Sequence, residues 1–268
     1  RAGVAHRRPL PRFVRRPLTR RLDGAGAPAH GRAAVLFVDC FVQYQEPGIG
    51  EALARLLTAA GVRLVVADVG CCGRTALSTG QVEKARAMAA RALDGLSPHA
   101  AEGVDILFAE PSCLSMARDD WARLLPGDPR VGVVAAASRP ALALVADLAA
   151  NGRLRFRAGG RALLHSHCHE KALELADATL AALAAVPGLE VEDPEAGCCG
   201  MAGVFGYEAE HYELSAGMAE RTLLPAVRRA APDTAVLATG TSCRTQIRDL
   251  TGRRVAHPLE FLAGRLVT

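Results

Sequence analysis

The sequence has no long apolar run. None of its apolar stretches approaches the ~18–20 residues that a membrane-spanning helix needs, and no apolar secretory segment stands near its start. Half of the residues are hydrophobic, so we expect a folded globular protein with a buried core. The pattern predicts a chain without a transmembrane segment.

Three common cofactor signatures are also missing. The chain has no Cys-x2–4-Cys hook of the kind found in structural zinc sites, and no Cys-x2-Cys-x2-Cys-x3-Cys-Pro run of a ferredoxin. It also has no glycine-rich segment of the kind that binds a flavin dinucleotide. These absences argue against a zinc finger, a ferredoxin and a flavoprotein.

Positive charge is carried almost entirely by arginine and is concentrated at the start of the chain. Residues 1–22 contain eight arginines and no acidic residue, which leaves 24 basic and 28 acidic residues in the remainder. The remainder is mildly acidic and has no basic patch of the kind that binds nucleic acid. We interpret residues 1–30 as a basic Pro/Arg-rich linker lying on a neighbouring domain. A contact with an anionic membrane or a partner, or an organelle transit peptide, is the alternative.

All eight cysteines fall into two matching sets of four, and no cysteine is left over. Each set has a single cysteine, an adjacent Cys-Cys-Gly, and a final Ser-Cys, and the second set repeats the first roughly 130 residues later. The first set is Cys40, Cys71, Cys72 and Cys113; the second is Cys168, Cys198, Cys199 and Cys243. Four thiols repeated once is the ligand count of a thiolate-bound metal or iron–sulfur centre. Secreted disulfide scaffolds are usually short and loop-rich, so a reducing cytoplasm is the better expectation.

Apolar strand patterns alternate with helical patterns in both halves of the chain. The predicted strands are 33–39, 62–69, 104–109, 131–135, 161–167, 189–192, 235–239 and 255–256. Long helices are predicted over 170–185 and over 207–229, the second interrupted near Pro225. This order predicts an α/β protein of two tandem pseudo-symmetric units, 31–155 and 156–268, each a small parallel sheet flanked by helices. The cysteines follow strands, so we expect them at the C-terminal ends of the strands, where ligands collect in parallel sheets.

The adjacent cysteines favour an iron–sulfur cluster over zinc. Side chains of neighbouring residues diverge, so both chelating one tetrahedral ion is awkward, whereas binding two irons of a cluster is easier. Zinc in one of the two sites is an alternative that this pattern leaves open. Dithiol chemistry is a further alternative, because an adjacent Cys-Cys pair can form a strained, reactive disulfide.

Several residues near the cysteines are candidates for supporting a bound centre. Gly73 and Gly200 would let the backbone pass close to an inorganic core. Ser112 and Ser242 would donate to sulfur or shape a turn, and Arg74 and Arg244 would stabilise anionic clusters or lie on the surface. His165 and His167 flank Cys168, and we take His167 as the candidate that bonds a cluster sulfur or replaces a ligand; a polar strand end is the alternative. No residue is assigned a catalytic role.

The cysteine pattern resembles the cysteine-rich CCG domains of the B-type subunit of heterodisulfide reductase, the glycolate oxidase iron–sulfur subunit and lactate-utilisation iron–sulfur proteins. The likeness covers roughly residues 10–268, and it is closest to the C-terminal region of bacterial fusions that contain an FAD-linked D-2-hydroxy-acid dehydrogenase. It is carried by the segments GCCGR, HCHEK, AGCCGMAGVFGYE, HYELS and TGTSCRTQI. Many members end each unit with Cys-x-x-Cys, where this chain has Glu110 or Gly240. That difference favours a four-thiolate or water-ligated cluster over a five-thiolate one.

The resemblance implies one iron–sulfur cluster, of the [4Fe-4S] type, on each cysteine set. FAD would reside on a missing domain or partner, accompanied by a ferredoxin-like segment, so this chain is expected to be a fragment or a separate subunit that does not oxidise a hydroxy acid alone. Its function would be electron transfer from flavin to a membrane or soluble acceptor in a D-lactate, glycolate or 2-hydroxyglutarate oxidoreductase. The expected location is the cytoplasm or the inner face of the cell membrane. The alternatives are a heterodisulfide-type reductase subunit and a zinc-binding interaction module.

Overall fold

Eight strands account for the two sheets of the computed structural model, which describes residues 3–23 and 31–267. The strands of the first unit are β1 Ala33–Phe37, β2 Arg63–Ala67, β3 Asp105–Phe108 and β4 Ser138–Pro140. The strands of the second unit are β5 Arg161–His165, β6 Glu190–Glu192, β7 Ala235–Ala238 and β8 Val255–Ala256.

Helices connect the strands and cover both faces of each sheet. In the first unit and the segment before it they are α1 Leu18–Leu22, α2 Cys40–Tyr44, α3 Pro47–Ala59, α4 Arg74–Ser78, α5 Val82–Ala101, α6 Pro111–Ser115, α7 Trp121–Leu124, α8 Pro129–Ala137 and α9 Ala141–Ala150. In the second unit they are α10 Cys168–Ala172, α11 Ala176–Ala184, α12 Tyr212–Glu220, α13 Leu223–Arg229, α14 Thr241–Thr251 and α15 Pro258–Arg265. None of these helices combines the length and the apolar character needed to cross a membrane.

The two sheets have the same topology. Their strand orders are β2-β1-β3-β4 and β6-β5-β7-β8, and all the pairings within them are parallel. Parallel neighbours require a crossover connection, which the intervening helices supply. The predicted fold class, two tandem α/β units with small parallel sheets, is confirmed.

One hydrophobic core lies between the two sheets and is shared by both units. It contains Leu36 and Leu107 of the first sheet together with Leu164 and Leu237 of the second. Helices α3, α9, α11 and α15 fill the space between the sheets, with α3 packed on α15 and α9 packed on α11. Each sheet has a separate core on its outer face. The units therefore bury their inner faces against each other.

The fourth strand of the first unit was placed wrongly by the sequence pattern. Residues 131–135, predicted as a strand, belong to helix α8, and the strand β4 follows that helix. The Asp128 carboxylate accepts a hydrogen bond from the backbone amide of Arg130, and Pro129 occupies the first helical position, which are strong helix-start signals. Val131 and Val134 are buried at helical spacing against the outer core. A short apolar run cannot be assigned by periodicity alone.

Two long helices of the second unit are each divided. The predicted helix over 170–185 ends at Ala172 and resumes at Ala176, with Glu174 between them at φ 56°. The predicted helix over 207–229 starts only at Tyr212 and breaks between Glu220 and Leu223. Pro225 then stands in the first turn of α13, where its missing N–H needs no helical partner. The break therefore lies a few residues before the proline.

The described part of the basic arm lies on this chain's own two units. The backbone amide of Ala5 donates to the Tyr207 carbonyl, and that of Val14 donates to the Tyr44 carbonyl. Arg8 is buried and donates to the Gly206 carbonyl and to the side chain of Gln246. Residues 1, 2 and 24–30 of the predicted linker lie outside the described residues. The proposed contact with a neighbouring domain stays a prediction.

We expect Arg8→Met to lower the free energy of unfolding by roughly 3 kcal/mol or more, because buried hydrogen bonds and a buried countercharge would be lost. The guanidinium lies 3.5 Å from the Asp249 carboxylate, and both side chains are almost fully buried. Arg7→Met is the matched control, since the ion pair of Arg7 with Glu213 is exposed and is worth at most about 1 kcal/mol. Urea denaturation measures both variants. Equal losses would show that Arg8 does not anchor the arm.

Candidate metal centre

The first cysteine of each set opens a helix just after a central strand. Cys40 begins α2 after β1, and Cys168 begins α10 after β5. The preceding residue caps the helix in both cases: the Asp39 carboxylate accepts hydrogen bonds from two backbone amides of α2, and the His167 ring accepts one from an amide of α10. These caps fix the first thiol of each set at the C-terminal edge of its sheet.

The adjacent cysteines lie in the loops after β2 and β6, each followed by a glycine in a left-handed conformation. Gly73 has φ 92° and Gly200 has φ 82°. Each glycine amide faces the sulfur of the first cysteine of its pair, at 3.5 Å from Cys71 Sγ and 3.4 Å from Cys198 Sγ. The turn therefore aims a backbone donor at one thiol of each set.

Packing gives a second reason for both glycines. A Cβ atom on Gly200 would lie 2.2 Å from the Ser215 carbonyl oxygen, and one on Gly73 would lie 3.1 Å from the Ala85 carbonyl oxygen. The close neighbours are therefore backbone atoms of α12 and α5. The predicted approach of an inorganic core to these glycines stays a prediction.

The last cysteine of each set lies in the first turn of a helix after β3 or β7. Cys113 is in α6 and Cys243 is in α14, and both are buried. The sulfurs of Cys72 and Cys113 are 3.0 Å apart, and those of Cys199 and Cys243 lie within 4.8 Å of each other. Three loops of each unit thus bring four thiols together.

Both cysteine sets face one cleft between the units. The cleft has a volume of about 180 Å³. Seven of the eight cysteines line it: Cys40, Cys71, Cys72, Cys113, Cys168, Cys198 and Cys199. Cys243 is buried behind the lining, with its sulfur within 4.8 Å of that of Cys199. Cys168 is exposed, whereas its counterpart Cys40 is half-buried. The two candidate centres therefore border the same space.

The thiols of each set have different pKa values because they lie close together. Hydrogen bonds from Cys40 and Cys72 lower the pKa of Cys71 to about 2. Hydrogen bonds from Cys168 and Cys199 likewise lower the pKa of Cys198 to about 2. Each set therefore contains a thiol of the adjacent pair whose pKa is lowered, and the thiolate is the form that binds metal.

The last cysteines of the two sets have different pKa values because their neighbours carry different charges. Cys113 accepts from Cys72, which lowers its pKa, but burial and the nearby carboxyls of Asp39 and Glu110 raise the pKa overall, to about 11. The hydrogen bond from Cys199 lowers the pKa of Cys243 well below its usual value, and His167 and His165 act in the same direction. Acidic groups therefore surround one site and imidazoles the other.

The predicted arginines are already engaged by protein groups. Arg74 lines the cleft, but its guanidinium donates to the Ser112 carbonyl and the Ser115 hydroxyl and pairs with Asp120. Arg244 lies outside the cleft lining and forms an ion pair with Glu46, at 2.5 Å between the guanidinium and the carboxylate. That ion pair joins α14 of the second unit to the start of α3 in the first.

The predicted serines and His167 lie at the cleft. Ser112, Ser242 and His167 line it, and the Ser112 hydroxyl donates to the Glu110 carboxylate. The other carboxylate oxygen of Glu110 accepts from the backbone amide of Thr241 across the unit boundary. Glu110 therefore caps a helix of its own unit and also holds the second unit in place.

The chain matches one family model twice. The model is described as CCG, cysteine-rich domain, and it matches residues 34–118 and 162–248. The chain belongs to this family. Each match covers most of one parallel sheet and one complete cysteine set, so each unit is a CCG domain.

Relatives of the two CCG domains occur in larger proteins. D-2-hydroxyglutarate dehydrogenase of Escherichia coli (strain K12) is 30% identical over 244 residues, which is 90% of this chain and 23% of that protein. One subunit of the anaerobic glycerol-3-phosphate dehydrogenase of the same strain is 26% identical over 277 residues, 98% of this chain and 67% of that subunit. A heterodisulfide reductase subunit of Methanosarcina barkeri is 32% identical over 96 residues, 34% of this chain and 23% of that subunit. The chain therefore spans about a quarter of the first relative and about two thirds of the second.

The donor groups of the CCG domains fit a soft metal or an iron–sulfur cluster. Thiolates suit zinc and iron–sulfur centres, and each domain gathers four thiols. His165 adds a second observation: it is 1% exposed, and neither of its ring nitrogens has a hydrogen-bond partner among the described residues. The sequence pattern places His165 and His167 on one face before Cys168, and the candidate named from the sequence is His167, not His165.

We expect Gly200→Ala to destabilise the second CCG domain by about 2–4 kcal/mol, from backbone strain and the clash with the Ser215 carbonyl. Gly203→Ala is the matched control. Gly203 also has positive φ, but nothing lies within 4 Å of a Cβ atom there, so the expected loss is only about 1–2 kcal/mol. Thermal unfolding of both variants measures the difference. Equal losses would contradict the packing role of Gly200.

Proposed function

We propose that this CCG protein carries one iron–sulfur centre on each set of four cysteines. The proposed ligands are Cys40, Cys71, Cys72 and Cys113 in the first domain, and Cys168, Cys198, Cys199 and Cys243 in the second. The observation that carries the proposal is the meeting of four thiols at the strand ends of each sheet. Such a centre exchanges one electron at a time, and the protein sets its potential through ligands, charge and hydrogen bonds.

The proposed task is electron transfer within a dehydrogenase. The relatives named as dehydrogenases of D-2-hydroxyglutarate and of glycerol 3-phosphate support an oxidoreductase partner. A 2-hydroxy acid is the proposed substrate class of that partner, with FAD and a ferredoxin-like segment on the partner or on another part of the same protein. The electrons would pass from the flavin to a soluble or membrane acceptor, and we place the complex in the cytoplasm or on the inner membrane face.

The shared cleft favours a second candidate function, the reduction of a disulfide. Both cysteine sets border one space, and the exposed Cys168 is accessible from it. A disulfide in that cleft would need two electrons and two protons to give two thiols, and two neighbouring one-electron centres would supply the electrons. The relative named as a heterodisulfide reductase subunit also supports this candidate.

We expect Cys199→Ser to lose about half of the bound iron and sulfide after anaerobic purification, because a serine hydroxyl is a poor ligand for a soft metal centre. Iron and acid-labile sulfide analysis, with EPR of the reduced protein, measures the loss. Cys72→Ser is the matched variant in the first domain. It should lose the iron of the first centre, so the EPR signal that remains should differ from the one that remains in Cys199→Ser. Full iron retention in Cys199→Ser would contradict the ligand assignment. A colourless protein containing zinc would instead support a structural or interaction module.

Disulfide turnover separates the two redox candidates. For an electron-transfer module, we expect the reduced chain to pass electrons to a dye acceptor but not to cleave a small disulfide such as cystine. The measurement is release of thiols under anaerobic conditions with a chemical reductant, with a no-protein control. Catalytic thiol release that is lost in Cys168→Ser would favour the reductase function.

A further inference from the structure

His165 is a buried histidine whose ring nitrogens make no hydrogen bond of normal geometry among the described residues. It is the last residue of β5 and is 1% exposed. Neither ring nitrogen makes a hydrogen bond of normal geometry within residues 3–23 and 31–267, and the neighbouring group whose pKa the ring lowers is the Cys243 thiol. Burying an imidazole without a partner costs free energy, and buried polar groups are nearly always satisfied. An unsatisfied ring of this kind indicates that something else binds it.

The nearest soft ligands to the His165 ring are two thiols of the second set. One ring nitrogen and the sulfurs of Cys199 and Cys243 all lie within 4.8 Å of one another. Three donor atoms at this spacing are close enough for one metal ion, or one edge of a cluster, to contact all of them. Imidazole and thiolate are both good ligands for iron and zinc.

The first domain has no such nitrogen at the matching position. Phe37 is the last residue of β1, as His165 is of β5, and its ring stacks on Phe108 with centroids 4.8 Å apart. In the second domain, the strand partner of His165 is Ala238, whose small side chain cannot stack on the imidazole. The repeat therefore replaces a packed aromatic pair with a histidine and an alanine.

We propose that His165 is a nitrogen ligand of the second centre, and that the second centre has a higher reduction potential than the first. This inference rests on the iron–sulfur function proposed above. Imidazole is neutral, so its bond adds no negative charge to the second centre, whereas the Glu110 carboxyl adds negative charge beside the first. One electron on the reduced first centre would therefore move to the oxidised second centre.

The groups around the two sites favour the same order of potentials. The Asp39 carboxyl precedes Cys40, and the Glu110 carboxyl lies in the first domain, close to Cys113. The matching positions in the second domain are His167 and Gly240. Negative charge near a centre disfavours the addition of an electron, so the Glu110 carboxyl lowers the potential of the first centre relative to the second. Asp39 contributes less, because burial raises its pKa to about 7.

Isotope labelling of histidine tests the nitrogen contact directly. The full chain is purified anaerobically from cells supplied with ¹⁵N-histidine, reduced stepwise, and examined by pulsed EPR. We expect a histidine nitrogen coupling on the centre that is reduced first, and its disappearance in His165→Gln. Absence of histidine coupling from both centres would overturn the proposal.

A redox titration of variants tests the order of potentials. His165→Phe copies the residue of the first domain, and we expect the midpoint potential of the second centre to fall towards that of the first. His169→Phe is the matched control, because His169 also lines the cleft but lies outside the three-atom group. Unchanged midpoint potentials in His165→Phe, with full iron content, would overturn the proposal. If His165→Phe does not fold, His165→Gln and the labelling experiment test whether His165 binds the second centre.

Failure of this inference differs from failure of the proposed function. Wild-type protein without iron and sulfide would refute the function itself. Iron at both sites without histidine coupling would refute only the role of His165. Zinc at the second site would overturn the potential order, since zinc has no redox chemistry.

Discussion

The polarity of parallel strands is the constraint on which this protein depends. The strands of each sheet point the same way, so the loops that follow them all emerge at one edge. Cysteines separated by 30 to 75 residues in the sequence therefore meet without any local Cys-x-x-Cys hook. A glycine after each Cys-Cys pair and a capping residue before each first cysteine complete the arrangement, because they fix the backbone from which the thiols project.

A second constraint keeps the cysteine-bearing edges of the two sheets facing each other. The inner helices of both CCG domains share one core, and buried polar contacts cross the boundary beside the cleft. Arg244 of the second domain pairs with Glu46 of the first, and Glu110 of the first accepts from the Thr241 amide of the second. Sliding of one domain against the other would break both contacts and leave buried charge without its partner. The contacts between the two domains therefore fix the cleft in place.

The repeat is symmetric in its thiols and asymmetric in what surrounds them. The first site has a phenylalanine pair and two carboxyls nearby, whereas the second has imidazoles and a glycine at the corresponding positions. Gly240 is required there, since a Cβ atom would lie 2.1 Å from the ring of His167. His167 and Gly240 thus form a coupled pair that replaces Asp39 and Glu110. The two domains therefore share their fold and their cysteine set but place different side chains around the thiols.

The sequence by itself determined the repeat, the α/β class and the position of each cysteine after a strand, because these depend on local patterns of apolar residues, glycine and cysteine. It did not separate a short helix from a strand at 131–135, where a capped helix start outweighed a short apolar run. Only the tertiary structure decided that both cysteine sets face one cleft, that Arg244 serves the domain boundary, and that the His165 ring has no partner among the described residues. Each of these depends on contacts between residues far apart in the chain, which neither periodicity nor spacing records.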